Sequence, residues 1–241
     1  MDIKWYGHAA FRLTPRAGPI VITDPYLPEL VGYGAITDTA DVVVISSPDD
    51  DGHCREDLVP GPHAVVDALN VARNGGQTEV EGTLFTAMEA MEYEYHTEHD
   101  VPGQNAMYRF ELDGIKIAHM GDVGNRLTPA QLKFFEDVDI LFALTGDALT
   151  IKLPDLMEMI HRMRPRLVIP MHFRTLAYKP QRGAWIEAFL LHFHDHQIDY
   201  AFGSETRVTA LDIPEETRVM VMDYARTADP ARPDQTQAVG G

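Results

Sequence analysis

An α/β protein whose sheets are covered by helices is the fold class this sequence predicts. Three observations lead there. As far as His119, the chain carries short β-branched or aromatic runs broken by Gly and Pro. The stretch "ELDGIKI" sets Asp113-Gly114 between two such runs, a strong tight-hairpin signal. From Thr128 onward, helical patterns with start signals alternate with apolar strands.

Taken in order, Ile3–Tyr6, Phe11–Leu13, Ile20–Thr23, Val42–Ser46, His63–Asp67, Thr83–Met88, Ala106–Leu112 and Ile115–His119 read as strands. Thr128-Pro129 opens a helix, with Thr as N-cap and Pro at the first helical position. Asp139–Leu144 is a strand, and Leu153–Arg164 is a helix with Leu156, Met159, Ile160 and Met163 on one face. A buried strand at Arg166–Pro170 follows, then a helix around Trp185–Asp195 and strands near Asp199–Phe202, Arg207–Leu211 and Arg218–Asp223. The remainder, "ARTADPARPDQTQAVGG", lacks periodicity and is expected to be disordered, so the division is one domain over 1–224 and a tail over 225–241.

Composition narrows the partners. Twenty basic against 37 acidic residues leave a formal charge of −17, a field that repels nucleic-acid phosphates and anionic membranes. A single cysteine, Cys54, excludes an internal disulfide and fits a reducing cytoplasm. Neither a signal-peptide pattern nor a long uncharged apolar run is present, which predicts a cytoplasmic protein acting on a small molecule.

Polar, metal-capable residues gather just beyond buried strands. They are Gly7-His8, Ser46 to His53 ("SSPDDDGH"), His119-Met120-Gly121-Asp122 and Pro170-Met171-His172, with Tyr95 to Asp100 in a loop before the hairpin. Imidazole and carboxylate donors on separate loops are how zinc, manganese and iron are commonly held. Each cluster also has an ordinary reading: "PDDDG" as a solvated turn, His119 as a satisfied core histidine, and the His192, His194, His196 group as surface. No serine-nucleophile elbow or phosphate-binding glycine loop follows a strand, and Cys54 beside His53 makes a poor catalytic pair because chain neighbours rarely face each other.

The order of "WYGHAAFRL", "IVITDPY", "ADVVVISS", "GQNAMYRFELDGIKIAHMGDVG" and "RPRLVIPMHF" resembles the metallo-β-lactamase superfamily. Within it the sequence is most similar to small metal-dependent hydrolases such as L-ascorbate-6-phosphate lactonase. The resemblance spans about residues 1 to 212 and implies a four-layer αββα sandwich with the site on one edge of its two sheets. It further implies that Asp122 is the bridging aspartate, His172 the late histidine, and His96 (with His99 second) the middle histidine. His8 and Asp24 match motifs that support the site, and self-association into a homo-oligomer is implied as well.

One loop departs from the family's His-x-His-x-Asp-His. Ser47, Asp49 and Gly52 stand where its histidines belong, Asp51 agrees, and His53 is displaced by one residue. Three outcomes stay open. Asp49 or Asp51 with His53, Asp122 and His172 could hold one divalent metal in an oxygen-rich set, favouring manganese or iron over zinc. The metal could be absent, leaving a ligand-binding or assembly protein. Or His53 swings into the vacant position and restores an ordinary site. The enzymatic reading is a hydrolase of small esters, lactones or phosphoesters, with Asp51 orienting or deprotonating water and His119 or His96 protonating the leaving group.

Overall fold

The computed structural model describes residues 1–92, 104–148 and 150–226. His96, His99 and all of the expected tail beyond Arg226 lie outside the described residues. The first half forms β1 (Asp2–Gly7), β2 (Ala10–Thr14), β3 (Val21–Thr23), α1 (Pro28–Val31), β4 (Val42–Ile45), β5 (Ala64–Asp67) and α2 (Ala68–Arg73). Next come β6 (Gln77–Val80), β7 (Thr83–Ala90), β8 (Asn105–Leu112), β9 (Ile115–His119), α3 (Pro129–Phe134) and β10 (Ile140–Leu144). The chain continues with α4 (Leu153–Met163), β11 (Leu167–Met171), α5 (Ile186–Leu190), β12 (Ile198–Tyr200), β13 (Glu205–Arg207) and β14 (Arg218–Val221).

These strands make two sheets, one in the order β13-β1-β2-β3-β4-β5 and the other β12-β14-β11-β10-β9-β8-β7-β6. The α/β class with two sheets and helices is therefore as expected. β4 explains why "VVVI" is apolar throughout. Val42 and Val44 face the core between the sheets, while Val43 and Ile45 face a second cluster with Tyr26, Val31 and Tyr33. A strand buried on both faces has no solvated side to alternate with. Phe11 and Phe142 bridge the sheets with ring centroids 4.1 Å apart.

Parallel pairing positions the site. β3, β4 and β5 run parallel in one sheet, and β9, β10 and β11 in the other. Loops leaving the carboxyl ends of parallel strands emerge on a common edge. Asp24, Ser46, Asp122 and His172 follow β3, β4, β9 and β11, and the amide of Ala106 donates to Ser46 O at 3.0 Å across the sheets.

The hairpin signal holds: Asp113 and Gly114 have φ of 52° and 75°, between the paired residues Leu112 and Ile115. α3 begins at a full capping box in which Thr128 and Gln131 bond each other's backbone. Two segments differ. The strand expected at Arg207–Leu211 ends at Arg207, because Thr209 and Asp212 close a turn there. β6 has only half-buried and exposed residues at the edge of its sheet, so its polar sequence carries no strand signal.

Candidate metal centre

β1 ends at Gly7 with φ of 122°, and a Cβ there would lie 2.4 Å from the Tyr33 ring. Only glycine fits, and the turn it makes throws His8 (φ 51°) inward. Trp5 Nε1 and the His172 amide both donate to the His8 carbonyl, at 3.1 and 3.0 Å, so the turns after β1 and β11 are tied together. On the other sheet, Gly121 must also be glycine: its Cβ would meet Asn105 Oδ1 at 2.4 Å. The Asp122 amide then donates to that oxygen at 2.8 Å, which aims the Asp122 side chain at the histidines.

The acidic loop is a compact turn. Asp50 N donates to Ser47 O, His53 N to Asp50 O, and Gly52 N to Asp50 Oδ1 at 2.7 Å. Three-residue spacing in such a turn puts Asp50 and His53 on one face. This corrects two expectations. Asp49, expected as a ligand, is exposed on the outer side of the turn. Asp51, expected as the base, is also exposed, and its carboxylate lies 3.4 Å from Arg55. The inward carboxylate is Asp50, which its two identical neighbours hide from sequence reading.

His119 is the third correction. Its Nδ1 accepts from Gly121 N at 2.9 Å, so Nε2 carries the proton and donates to Ala9 O at 3.0 Å. Both ring nitrogens are engaged, and the ring is fully buried and stacked on Tyr108. It has no nitrogen left for a leaving group. Cys54 is likewise no nucleophile: burial, then Asp51 and Asp50, push its thiol up to about 12.

His8, His53 and His172 offer nitrogens within 4.8 Å of one another, and so do Asp50, His53 and Asp122 with their donor atoms. His53 is held by Asp24, whose Oδ2 accepts from Nδ1 at 2.9 Å. Asp24 also accepts from Ser46 N at 3.0 Å, Ser46 Oγ at 2.6 Å and Tyr108 OH at 3.3 Å. With a proton on Nδ1, His53 directs Nε2 toward Asp122 Oδ1, 3.7 Å away, where a metal would replace any proton on it; His172 Nε2 lies 3.6 Å from the same oxygen. His8 Nδ1, His53 Nε2 and Asp122 Oδ1 are buried and have no hydrogen-bond partner among the described residues.

Three orphaned buried atoms in one place are rare, since each costs about 1–3 kcal/mol unless something satisfies it. Donors about 2.1 Å from a tetrahedral ion stand about 3.4 Å apart, close to the separations observed. The donor set fits a divalent cation. Ser47, at the position where the resemblance leads one to expect a histidine, lies within hydrogen-bond distance of Glu92 Oε2 (3.0 Å) and Gln104 O (2.9 Å).

The electrostatics agree. Burial, reinforced at His8 by His172 and His53 and at His172 by His53, holds His8 well below its ordinary value and His172 down to about 3, so both are neutral donors. Burial disfavours a charged His53, yet Asp122 and Asp24 outweigh it and lift the group to about 10. Burial, less what His53 gives back, raises Asp122 to about 8; Asp50 and Glu92 add to the rise. The carboxylates that favour a proton on His53 would equally favour a cation in that proton's place.

A cavity of about 430 Å³ opens beside these residues, lined among others by His8, Asp50, Asp122, His172, Tyr178 and Arg182. No helix of the described residues is long and apolar enough to cross a membrane.

Comparison with known proteins points the same way. A UPF0173 metal-dependent hydrolase of Anaeromyxobacter dehalogenans is 26% identical over 205 residues, covering 72% of this chain and 75% of that protein. A UPF0173 protein of Pyrococcus abyssi is 25% identical over 187 residues, covering 73% and 84%. A crystal structure from Thermotoga maritima, described as a candidate Zn-dependent hydrolase of the metallo-β-lactamase superfamily, superposes with a TM-score of 0.71 at 28% identity, covering 93% of this chain and 99% of that one. The family described as "Beta-lactamase superfamily domain" matches residues 2–172. That match runs from the first residue of β1 to the last histidine of the cluster, and the chain belongs to the beta-lactamase superfamily.

Proposed function

We propose that this protein is a hydrolase of a small ester, lactone or phosphoester, working with one divalent cation held by His8, His53, Asp122 and His172. The observation that carries this reading is the convergence of buried, unpartnered donor atoms on one point at the shared sheet edge. A protein that had given up its metal would retain that cost with nothing to offset it. The relatives' description as metal-dependent hydrolases supports the same reading.

Three imidazoles and one or two carboxylates suit zinc, manganese or iron. Such an ion supplies a Lewis acid and brings the pKa of water down toward neutrality. The chain's own residues do the rest. Asp24 fixes the tautomer and direction of His53, the second-sphere role carboxylates play behind ligating histidines. Asp50, half-buried beside His53 and Asp122, holds the attacking water and takes its proton. Tyr178, over the His8 and His172 rings at 5.7 and 6.1 Å, donates its phenol to the oxygen where charge develops. Burial, followed by Asp122 and Tyr33, raises that phenol's pKa, so it stays a donor. The cavity falls within the range of small-molecule sites, roughly 300–1,000 Å³.

Elemental analysis of protein purified without added metal, paired with turnover of an ester and phosphoester panel, tests this. About one equivalent of zinc, manganese or iron per chain is expected, with turnover abolished by chelation and by Asp122→Asn or His172→Asn. No metal even after soaking, or full turnover by the stripped protein, would overturn it.

A further inference from the structure

The wall of the cavity facing Asp50 and Asp122 is the segment between β11 and α5, and it is firmly tied down. Lys179 N donates to Val31 O at 2.9 Å, Ala184 N to Gly146 O at 2.6 Å, and Tyr33 OH pairs with Thr175 Oγ1 at 3.0 Å. Gly183, at φ 88°, passes so near Gly146 that a Cβ would sit 2.9 Å from its carbonyl oxygen. The segment carries three cations. Arg174 is engaged by Gln181 at 2.9 Å and lies over the Trp185 ring at 4.9 Å. The Lys179 ammonium donates to Glu29 O at 2.8 Å. Arg182 lines the cavity and makes no hydrogen bond or ion pair with any described residue.

Arg182 is exposed at the cavity, and within this segment it is the cation whose charged group no described residue engages. The chain has 37 acidic side chains against 20 basic ones, and the other two cations of this segment have found partners. A guanidinium is a planar fork that matches two oxygens of a carboxylate or phosphate. We propose that Arg182 determines substrate specificity by binding an anionic oxygen group, carboxylate or phosphate, carried by the substrate on the side away from the bond cleaved at the histidine–aspartate cluster. This rests on the hydrolase reading above. Tyr178 lies between the two ends and sets their separation, and Lys179 at the rim adds attraction without a fork. The wall's anchors fix the backbone that carries Arg182 beside the cavity, so only the arginine side chain has to be ordered on binding.

The test compares 4-nitrophenyl butyrate with its carboxylate-bearing counterpart, mono-(4-nitrophenyl) succinate, on the metal-loaded protein. We expect kcat/KM for the anionic ester to exceed that for the neutral one about tenfold or more, the value of a hydrogen bond to a charged group. In Arg182→Gln the ratio should fall toward one through KM, with metal content unchanged. Arg182→Lys should recover part of it, and Lys133→Gln, a distant charge control, should keep it. A parallel fall for both esters in Arg182→Gln, or no preference in the parent, overturns the proposal. If neither ester turns over, the hydrolase reading is what suffers, and calorimetry decides the anion site alone. Binding of succinate or inorganic phosphate weakened about tenfold in Arg182→Gln supports it, and equal binding refutes it. Tighter phosphate than succinate binding identifies a phosphorylated substrate, and the reverse a carboxylated one.

Discussion

Asp24→Asn isolates what the carboxylate behind His53 does. The substitution keeps shape, and Oδ1 can still accept from Ser46 N, now at 3.0 Å, and from Tyr108 OH at 3.3 Å. Where Oδ2 stood, an NH₂ group would face His53 Nδ1 at 2.9 Å. Two donors cannot face each other at that distance, so His53 must give up the Nδ1 proton and carry it on Nε2. That nitrogen is the one directed at Asp122, 3.7 Å away. A protonated Nε2 cannot ligate, and loss of such an orienting partner costs 10- to 100-fold in metal affinity, about 1.4–2.7 kcal/mol. The metal-free fold should lose much less, because Nε2–H then finds the otherwise unpartnered Asp122 Oδ1. Competition titrations against a chelator of known affinity measure the first effect, and thermal melts with and without metal measure the second. Metal stabilisation follows the logarithm of affinity, so the melting shift should shrink while the chelator-treated proteins stay close. A folded Asp24→Asn protein whose metal affinity is within twofold of the parent would refute the tautomer argument.

Other substitutions probe the remaining parts. His8→Ala should lower metal affinity at least tenfold with an unchanged circular dichroism spectrum, which an orienting residue off the donor set would not do as strongly. Asp51→Asn should leave metal content and turnover within twofold, whereas Asp50→Asn should cut turnover a hundredfold or so, a general base's typical share. Gly146→Ala places a Cβ 2.1 Å from His172 O and should cost roughly 3 kcal/mol or more in urea unfolding. Asp38 accepts from Lys4 at 2.7 Å and Tyr6 at 2.6 Å; burial raises its pKa, but these partners outweigh burial and hold it below the usual carboxylate range. A depressed pKa stabilises fully above the unfolded value of about 4 and is lost as pH falls through the folded one. Asp38→Asn should therefore be less stable than the parent at pH 7 and converge with it in acid; a constant gap down to pH 2 would mean lost packing instead.

The fold was legible wherever local chemistry and tertiary context agree. β4 and β10 read as buried strands because both faces are covered, and Thr128 caps α3 as its spacing demands. β6 was not legible, because an edge strand with exposed residues has no apolar face to reveal it. At the site, Asp122, His53 and His172 stood out by following buried strands, and the structure brings all three together. His8 stood out too, though only as a supporting residue. The choice among Asp49, Asp50 and Asp51 rests on a turn that no single letter encodes. His119 misled for a different reason. One of its two partners is the carbonyl of Ala9, 110 residues away, and without that bond a core histidine and a proton donor look alike.

Backbone strain bears on whether this site is a working one or a remnant. His8, Asp24 and His172 all have left-handed backbone, with φ of 51°, 37° and 55°, at the ends of β1, β3 and β11. For residues with a Cβ, each costs of the order of 1–3 kcal/mol. Glycine or asparagine would relieve most of that at His8 and His172, so backbone preference does not account for the histidines there; Asp24 also ties Ser46 and Tyr108 together. Seven other described residues with side chains share this conformation elsewhere in the fold, so strain alone marks no site; at this edge, two of the three belong to the donor cluster and the third orients His53. The loop after β4 offers the cluster an inward Asp50 and His53, while Ser47 faces Glu92 and Asp49 is exposed. A site that had lost its chemistry would carry strained turns and unpartnered buried atoms together, and either could be removed by one substitution. The coincidence of strained turns with the unpartnered donor atoms of the same cluster supports the proposed cation site and its own donor set.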